Sequence, residues 1–190
     1  MAPTYFRVKV ALAGSVPSIW RRLDLASDLA LAEVHLVLQA AFEWYDGHLH
    51  QFLTDTPDPE RFIDARMTAA PDTTPENDVR LDEVLAGPGE RLLYEYDFGD
   101  SWAHLLIVES EHARPLHAPR ARVLDARRAA PPEDCGGISR YGYLIEHLDD
   151  PDVVEELPYD FPEDPEYIDA EDLDEAVQLA LTRGRNVSLG

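Results

Sequence analysis

The stretch that most restricts the fold lies between Arg91 and Val108. Arg91 to Tyr96 is a strand-like run, Asp97-Phe98-Gly99-Asp100-Ser101 carries turn chemistry, and Trp102 to Val108 is a second apolar run. Two such runs around a polar turn predict a β-hairpin and so commit their neighbours to an antiparallel sheet. An Asp at such a turn bonds the backbone two residues on, and Gly99 is free to take positive φ. Those rules account for one aspartate and the glycine. The other aspartate, Trp102 and His104 are left to packing or to a site.

The rest of the chain supplies partners for this hairpin. Tyr5 to Leu12 and Ile19 to Leu25 are extended runs joined by Ala13 to Ser18, and they predict a second antiparallel pair. Within the second run Arg21 alternates with Ile19, Leu23 and Leu25, whereas Arg22 shares the other face with Trp20 and Asp24. A helix is predicted from Leu29 to Trp44, with Leu31, Val34, Leu38, Ala41 and Phe42 as its core stripe and His35 a satisfied helix histidine beside it. Glu33 stands where the acidic half of a capping box belongs, yet Ala30 has no side-chain oxygen.

His48 to Leu53 follows as a strand, and alternation sets His48 and His50 on one side of it. Residues 54 to 77 are a turn-rich excursion enclosing a short strand at Arg61 to Ile63, and Asp78 to Leu85 is a short helix stopped by Gly87-Pro88-Gly89. Arg120 to Arg128 predicts an edge strand. Pro131-Pro132-Glu133-Asp134-Cys135-Gly136-Gly137 is a rigid polar loop suited to holding Glu133 and Asp134, and Ser139 is the expected cap of the next helix, to Asp149. The order of elements predicts one α+β domain over 1–190, a mostly antiparallel sheet packed with helices.

Charge is distributed unevenly. The 190 residues carry 38 acidic and 16 basic side chains, a net −22, and residues 149 to 175 hold fourteen of the acids and no base. That segment contains Pro151, Pro158, Pro162 and Pro165, so it is expected as an irregular wrap with its apolar residues docked, before a final helix over 173–182. Such a balance argues against direct nucleic-acid binding, which needs Lys and Arg to replace counterions. It suits a basic protein partner, or a DNA mimic if the carboxylates form rows. No apolar run reaches membrane-spanning length, the N-terminus lacks a signal-peptide core, and the single Cys135 excludes an internal disulfide; a cytoplasmic protein is expected.

Several short stretches, taken in order, resemble the plasmid pRiA4b ORF-3-like family, also described as mobile-element-associated passenger proteins of the TnpR type. They are Ile19-Trp20-Arg21-Arg22, Leu31 to His35, Gln39 to Phe42 with Trp44, His48 to Phe52, Tyr96 to Trp102 with His104, and Pro131 to Gly137 with Tyr141-Gly142-Tyr143. The resemblance extends over residues 5 to 180 and implies an α+β domain with a mostly antiparallel sheet. Its resolvase-like label comes from genetic neighbourhood and implies no established activity. Family members often carry a cysteine where this chain has Ala130, so a two-cysteine site is impossible here.

Two main functional readings follow. In the first, the protein is a binding module whose hairpin, HLHQF strand and PPEDCGG loop meet at a polar cleft formed by Arg21, Arg22, Trp44, Asp97, Asp100, Trp102 and Asp134. The aspartates would pair with an arginine, and the acidic segment would steer a basic partner. In the second, His48, His50, Asp97 and Asp100 ligate Zn, Mn, Fe or Mg, and His104 or Glu133 acts as general base in metal-assisted hydrolysis, for example of a phosphodiester. No nucleophile elbow, P-loop or His-Glu-x-x-His helix supports the enzyme independently.

Overall fold

A computed structural model describes residues 3–64, 66–68 and 70–187, with side chains to 184. Among the described residues there are eight strands: β1 (Thr4–Leu12), β2 (Trp20–Ala26), β3 (His50–Thr54), β4 (Arg61–Ile63), β5 (Thr73–Pro75), β6 (Arg91–Tyr96), β7 (Trp102–Ala113) and β8 (Ala121–Arg127). They form one sheet in the order β5-β4-β3-β6-β7-β1-β2-β8. All neighbours are antiparallel except β4 and β5. The predicted hairpin is β6 and β7, closed by Tyr96 opposite Trp102, and β7 continues as the partner of β1. With its helices this is an α+β fold.

Alternation makes the sheet two-faced. Phe6, Val8, Val10 and Leu12 of β1, Leu23 and Leu25 of β2, and Leu106 and Val108 of β7 are buried together. Helix α1 (Leu31–Ala41) covers them with Leu31, Val34, Val37 and Leu38. The other face carries Arg7 on Asp24, and Arg22 on Glu109 and Asp125. Each buried Val or Leu contributes ~1.5–3 kcal/mol and each solvent-facing pair of Arg22 ~0–1 kcal/mol, so the covered face holds the fold. Arg22 therefore belongs to the solvent face rather than to a cleft.

Arg21 points the other way and is fully buried. Its Nε donates to the Ala41 carbonyl at 2.6 Å, its Nη1 donates to the carbonyls of Trp20, Arg127 and Arg128, and its guanidinium lies 4.8 Å from the Phe42 ring centre. Carbonyl dipoles, including the negative end of α1, take the place of the expected aspartate. Burial lowers its pKa to about 10.

Helix boundaries differ from those expected, for local reasons. α1 stops at Ala41, because Glu43 adopts a left-handed φ of 59° and Trp44 N–H returns to the Gln39 carbonyl at 2.9 Å. The Glu33 carboxylate accepts from Ala30 N–H at 3.1 Å, half of a capping box. Residues 76–78 form a 3-10 turn before α2 (Leu81–Val84). Helix α3 (Gly137–Glu146) begins before Ser139, on a left-handed Gly136. The acidic segment contains the short helix α4 (Pro151–Glu155) and is tied down where Ala129 N–H reaches the Pro165 carbonyl at 3.1 Å and Arg128 pairs with Glu166. The last helix, α5, is longer than expected, Ala170–Val187, and packs against α1 and β8. No helix among the described residues is long and apolar enough to cross a membrane.

Candidate functional site

The turn between β6 and β7 meets the Pro131–Gly137 loop through backbone contacts. The left-handed residues of the turn are Asp97 and Ser101, with φ of 54° and 55°, and Gly99 is not among them. Asp97 Oδ1 accepts from Gly99 N–H at 2.9 Å, which stabilises the strained position. Asp100 Oδ2 accepts from Gly136 N–H at 2.9 Å. Gly137, at φ 77°, sits so close that a Cβ there would lie 2.7 Å from the Asp100 carbonyl oxygen. Only glycine allows this approach.

Glu133 fastens the same loop to the segment after α1. Its Oε1 accepts from the Tyr96 hydroxyl at 2.6 Å and from Tyr45 N–H at 2.7 Å. The Tyr96 oxygen in turn accepts from Gly47 and His48 N–H at 3.0 and 3.3 Å. Burial and the Glu133 carboxylate push the Tyr96 pKa up. Trp44 is buried, and its Nε1 donates to the Pro131 carbonyl at 2.8 Å.

His48 lies between the two loops. Its Nε2 is 3.1 Å from Asp134 Oδ1 and its Nδ1 is 3.7 Å from Asp97 Oδ1. One atom from each of His48, Asp97 and Asp134 lies within 4.8 Å of the others, a spacing open to a cation. The hairpin turn, the start of the HLHQF segment and the PPEDCGG loop thus come together. The expected ligand set does not: Asp100 holds the Gly136 backbone, and His50 faces elsewhere.

His50 is the first residue of β3, whereas His48 precedes the strand, so strand alternation never applied to the pair. The left-handed Asp46 turns the chain just before them. His50 is buried and stacks on His35 of α1, with ring centres 3.6 Å apart and planes within 2°. Its Nε2 is 2.8 Å from Glu76 Oε2 and its Nδ1 is 3.4 Å from Asp64 Oδ2. His35 Nδ1 is 2.8 Å from the Tyr94 hydroxyl, which also receives the Gln39 amide N–H at 3.0 Å. His35 Nε2 is 3.2 Å from Asp46 Oδ1. Burial, opposed by Asp46, lowers the His35 pKa; His35 and Arg66 together lower that of Asp46 against its own desolvation. Arg66 bridges Asp46 and Asp64 at 2.8 and 2.5 Å.

This second cluster escaped the sequence reading because Asp64 and Glu76 lie in the turn-rich excursion, which shows no periodic signal. The available signal was on α1, where His35 and Gln39 are one turn apart and share a face.

The remaining candidates lie in the interior. His104 is buried among Phe42, Trp44 and Tyr94, and its Nδ1 is 3.1 Å from the Trp102 carbonyl. Burial lowers its pKa to about 3, so it is a neutral core group, not a base facing the loops. Trp102 is likewise core. The buried Cys135 thiol is pushed up to about 12, first by burial and then by Asp100, and is inert as a nucleophile.

The chain is similar to an uncharacterised protein, y4hQ, of Sinorhizobium fredii (strain NBRC 101917 / NGR234), with 31% identity over 159 residues, 80% of this chain and 76% of the relative. It also resembles the crystal structure of a protein of unknown function, MM3350 from Methanosarcina mazei Go1, at 29% identity and a TM-score of 0.78, covering 90% of this chain and 97% of that one. The family model of the plasmid pRiA4b ORF-3-like proteins matches residues 4–174, and neither relative's description brings an activity with it. The family match over most of the chain leads to one conclusion: the chain belongs to the plasmid pRiA4b ORF-3-like family.

Proposed function

We propose that this protein is an interaction module that holds a basic segment of a partner protein against the face around His48. One observation carries the reading: four separate segments that carry carboxylates and exposed rings converge around Tyr45 and His48. Asp134 keeps 74% of its side chain exposed, Tyr45 is 67% exposed, and Phe98 stands beside Asp97 at 42%. Tyr159 and Asp160 of the acidic segment lie beside Tyr45, whose pKa is raised first by burial and then by these neighbours. Aromatic rings with nearby carboxylates suit Arg and Lys, which stack on rings and pair with acids.

The geometry favours binding over metal-assisted hydrolysis. Glu133 is engaged by Tyr96 and Tyr45, and His104 lies in the core, so neither is placed as a general base. DNA mimicry is less favoured still, because the acidic segment is a short helix and a series of turns.

Fluorescence anisotropy with a labelled arginine-rich peptide tests the reading at about 0.15 M salt, where long-range attraction is screened. Combining Tyr45→Ala, Tyr159→Ala and Asp134→Asn is expected to weaken binding by about tenfold or more, the loss of roughly 1.4 kcal/mol. Removing two charges from the opposite face, Glu109→Gln with Asp125→Asn, is expected to change it less than about twofold. Equal losses in both variants would reduce the effect to net charge and sink the proposal.

A further inference from the structure

Beneath this face, the stacked His35 and His50 have a feature that their protein contacts leave unexplained. Each ring has one nitrogen engaged: His50 Nε2 with Glu76, and His35 Nδ1 with the Tyr94 hydroxyl. The other two nitrogens, His35 Nε2 and His50 Nδ1, are buried and make no hydrogen bond among the described residues. Asp46 and Asp64 are near them, at 3.2 and 3.4 Å, without hydrogen-bond geometry. These two nitrogens and Asp46 Oδ1 lie within 4.8 Å of one another.

Ligating histidines are ordinarily held in this way. One nitrogen contacts a carboxylate or another polar group, which sets the tautomer and turns the second lone pair toward the ion. The charge count points in the same direction. Asp46, Asp64 and Glu76 bring three negative charges into the cluster and Arg66 brings one positive charge. With both imidazoles neutral, two negative charges remain uncompensated at low dielectric, where Asp64 and Glu76 are 5% and 4% exposed.

We propose that His35 Nε2, His50 Nδ1 and Asp46 Oδ1 form a binding site for a divalent transition-metal ion, with Asp64 as the fourth ligand. Two imidazoles and carboxylate oxygen suit Zn, and also Mn, Fe and Co. Two movements accompany uptake. Parallel rings send their lone pairs side by side, so the imidazoles must fan apart to share an ion. Arg66, whose side chain is 46% exposed, must release Asp46 and Asp64, so that a dication replaces a monocation. Because Arg66 Nη2 also donates to the His48 carbonyl at 3.0 Å, its release frees the backbone of the neighbouring face. The metal site stands whether or not a basic segment binds the neighbouring face.

The experiment is metal analysis of untagged protein prepared without chelator, with calorimetric titration of the metal-stripped protein by zinc, manganese and cobalt salts. One equivalent is expected in the wild type. His35→Gln is expected to weaken binding by more than about 100-fold, and Glu76→Gln, which loosens only the support of His50, by about 10- to 100-fold. Arg66→Gln removes the competing cation at a half-exposed position and is expected to tighten binding by about tenfold or more. His48→Ala is expected to leave uptake unchanged. Absence of binding in the wild type overturns the site, as does weaker binding in Arg66→Gln. Loss in His48→Ala with retention in His35→Gln would put the ion on the exposed trio and overturn it equally. If His35→Gln fails to fold, the Arg66→Gln titration and the ligand-field spectrum of the cobalt form decide: a spectrum lacking nitrogen ligation rejects the site.

Discussion

His48 keeps 29% of its side chain exposed between Asp97 and Asp134, while His50, two residues on, is 1% exposed between Glu76 and Asp64. Each imidazole has a carboxylate near both ring nitrogens. Water stands beside one set and the α1 helix covers the other. The first set is screened and rests on loops that hydrogen-bond their own backbones. The second joins α1, β3 and the excursion through Asp64 and Glu76, where an unmatched charge has no solvent to relieve it. Similar pairings therefore carry different consequences, and burial sets the scale.

The sharpest way to break this comparison is His50→Ala. It leaves the buried Glu76 carboxylate without its hydrogen-bond donor, and a loss of ~1–3 kcal/mol is expected in urea denaturation. A loss below ~1 kcal/mol would mean that the buried cluster is as weak as the exposed one.

Acid sharpens the same point through His104. Its folded pKa, about 3, is below the ordinary 6.5, so the unfolded chain binds the proton more readily. Its contribution is complete above about pH 6.5 and is lost as pH falls toward about 3, at roughly 1.4 kcal/mol per unit. His35, also lowered by burial, adds loss in the same direction below 6.5. A His104→Phe variant is expected to show a shallower acid limb in stability measured against pH. An unchanged limb would remove His104 from the account.

Gly137→Ala tests the exposed side. It strains a left-handed position and drives a Cβ against the Asp100 carbonyl, at an expected ~1–3 kcal/mol. Altered loop amide shifts in NMR, with those of the His35–His50 cluster unmoved, would show that the two regions are separable. His48→Ala is expected to have the smallest effect, ~0–1 kcal/mol by the same denaturation measurement. A loss comparable to that of His50→Ala would erase the distinction between the two histidines.

Much of the architecture was legible because it depends on local rules. The hairpin followed from turn chemistry between apolar runs and the stripe of α1 from its 3.6-residue period, but Arg22, expected in the cleft, lies on the solvent face. The meeting of the hairpin turn with the Pro131–Gly137 loop was legible as a possibility only. Misplaced residues have physical causes. His48 was paired with His50 by a strand rule that begins only at residue 50, and positive φ fell on Asp97 and Ser101 although Gly99 was available. The sequence leaves Arg21 open to an aspartate partner, whereas four carbonyl oxygens receive it.

By itself, then, the sequence determined the elements that depend on neighbours in the chain: strands, turns, the α1 stripe, the acidic segment and the class of fold. Tertiary structure alone decided which polar groups meet. Asp64, Glu76 and His35 reach His50 from separate elements, and Asp134 reaches His48 across the fold. Periodicity specifies which face a side chain takes, but a polar contact depends on where distant backbones cross and on how much water that crossing excludes.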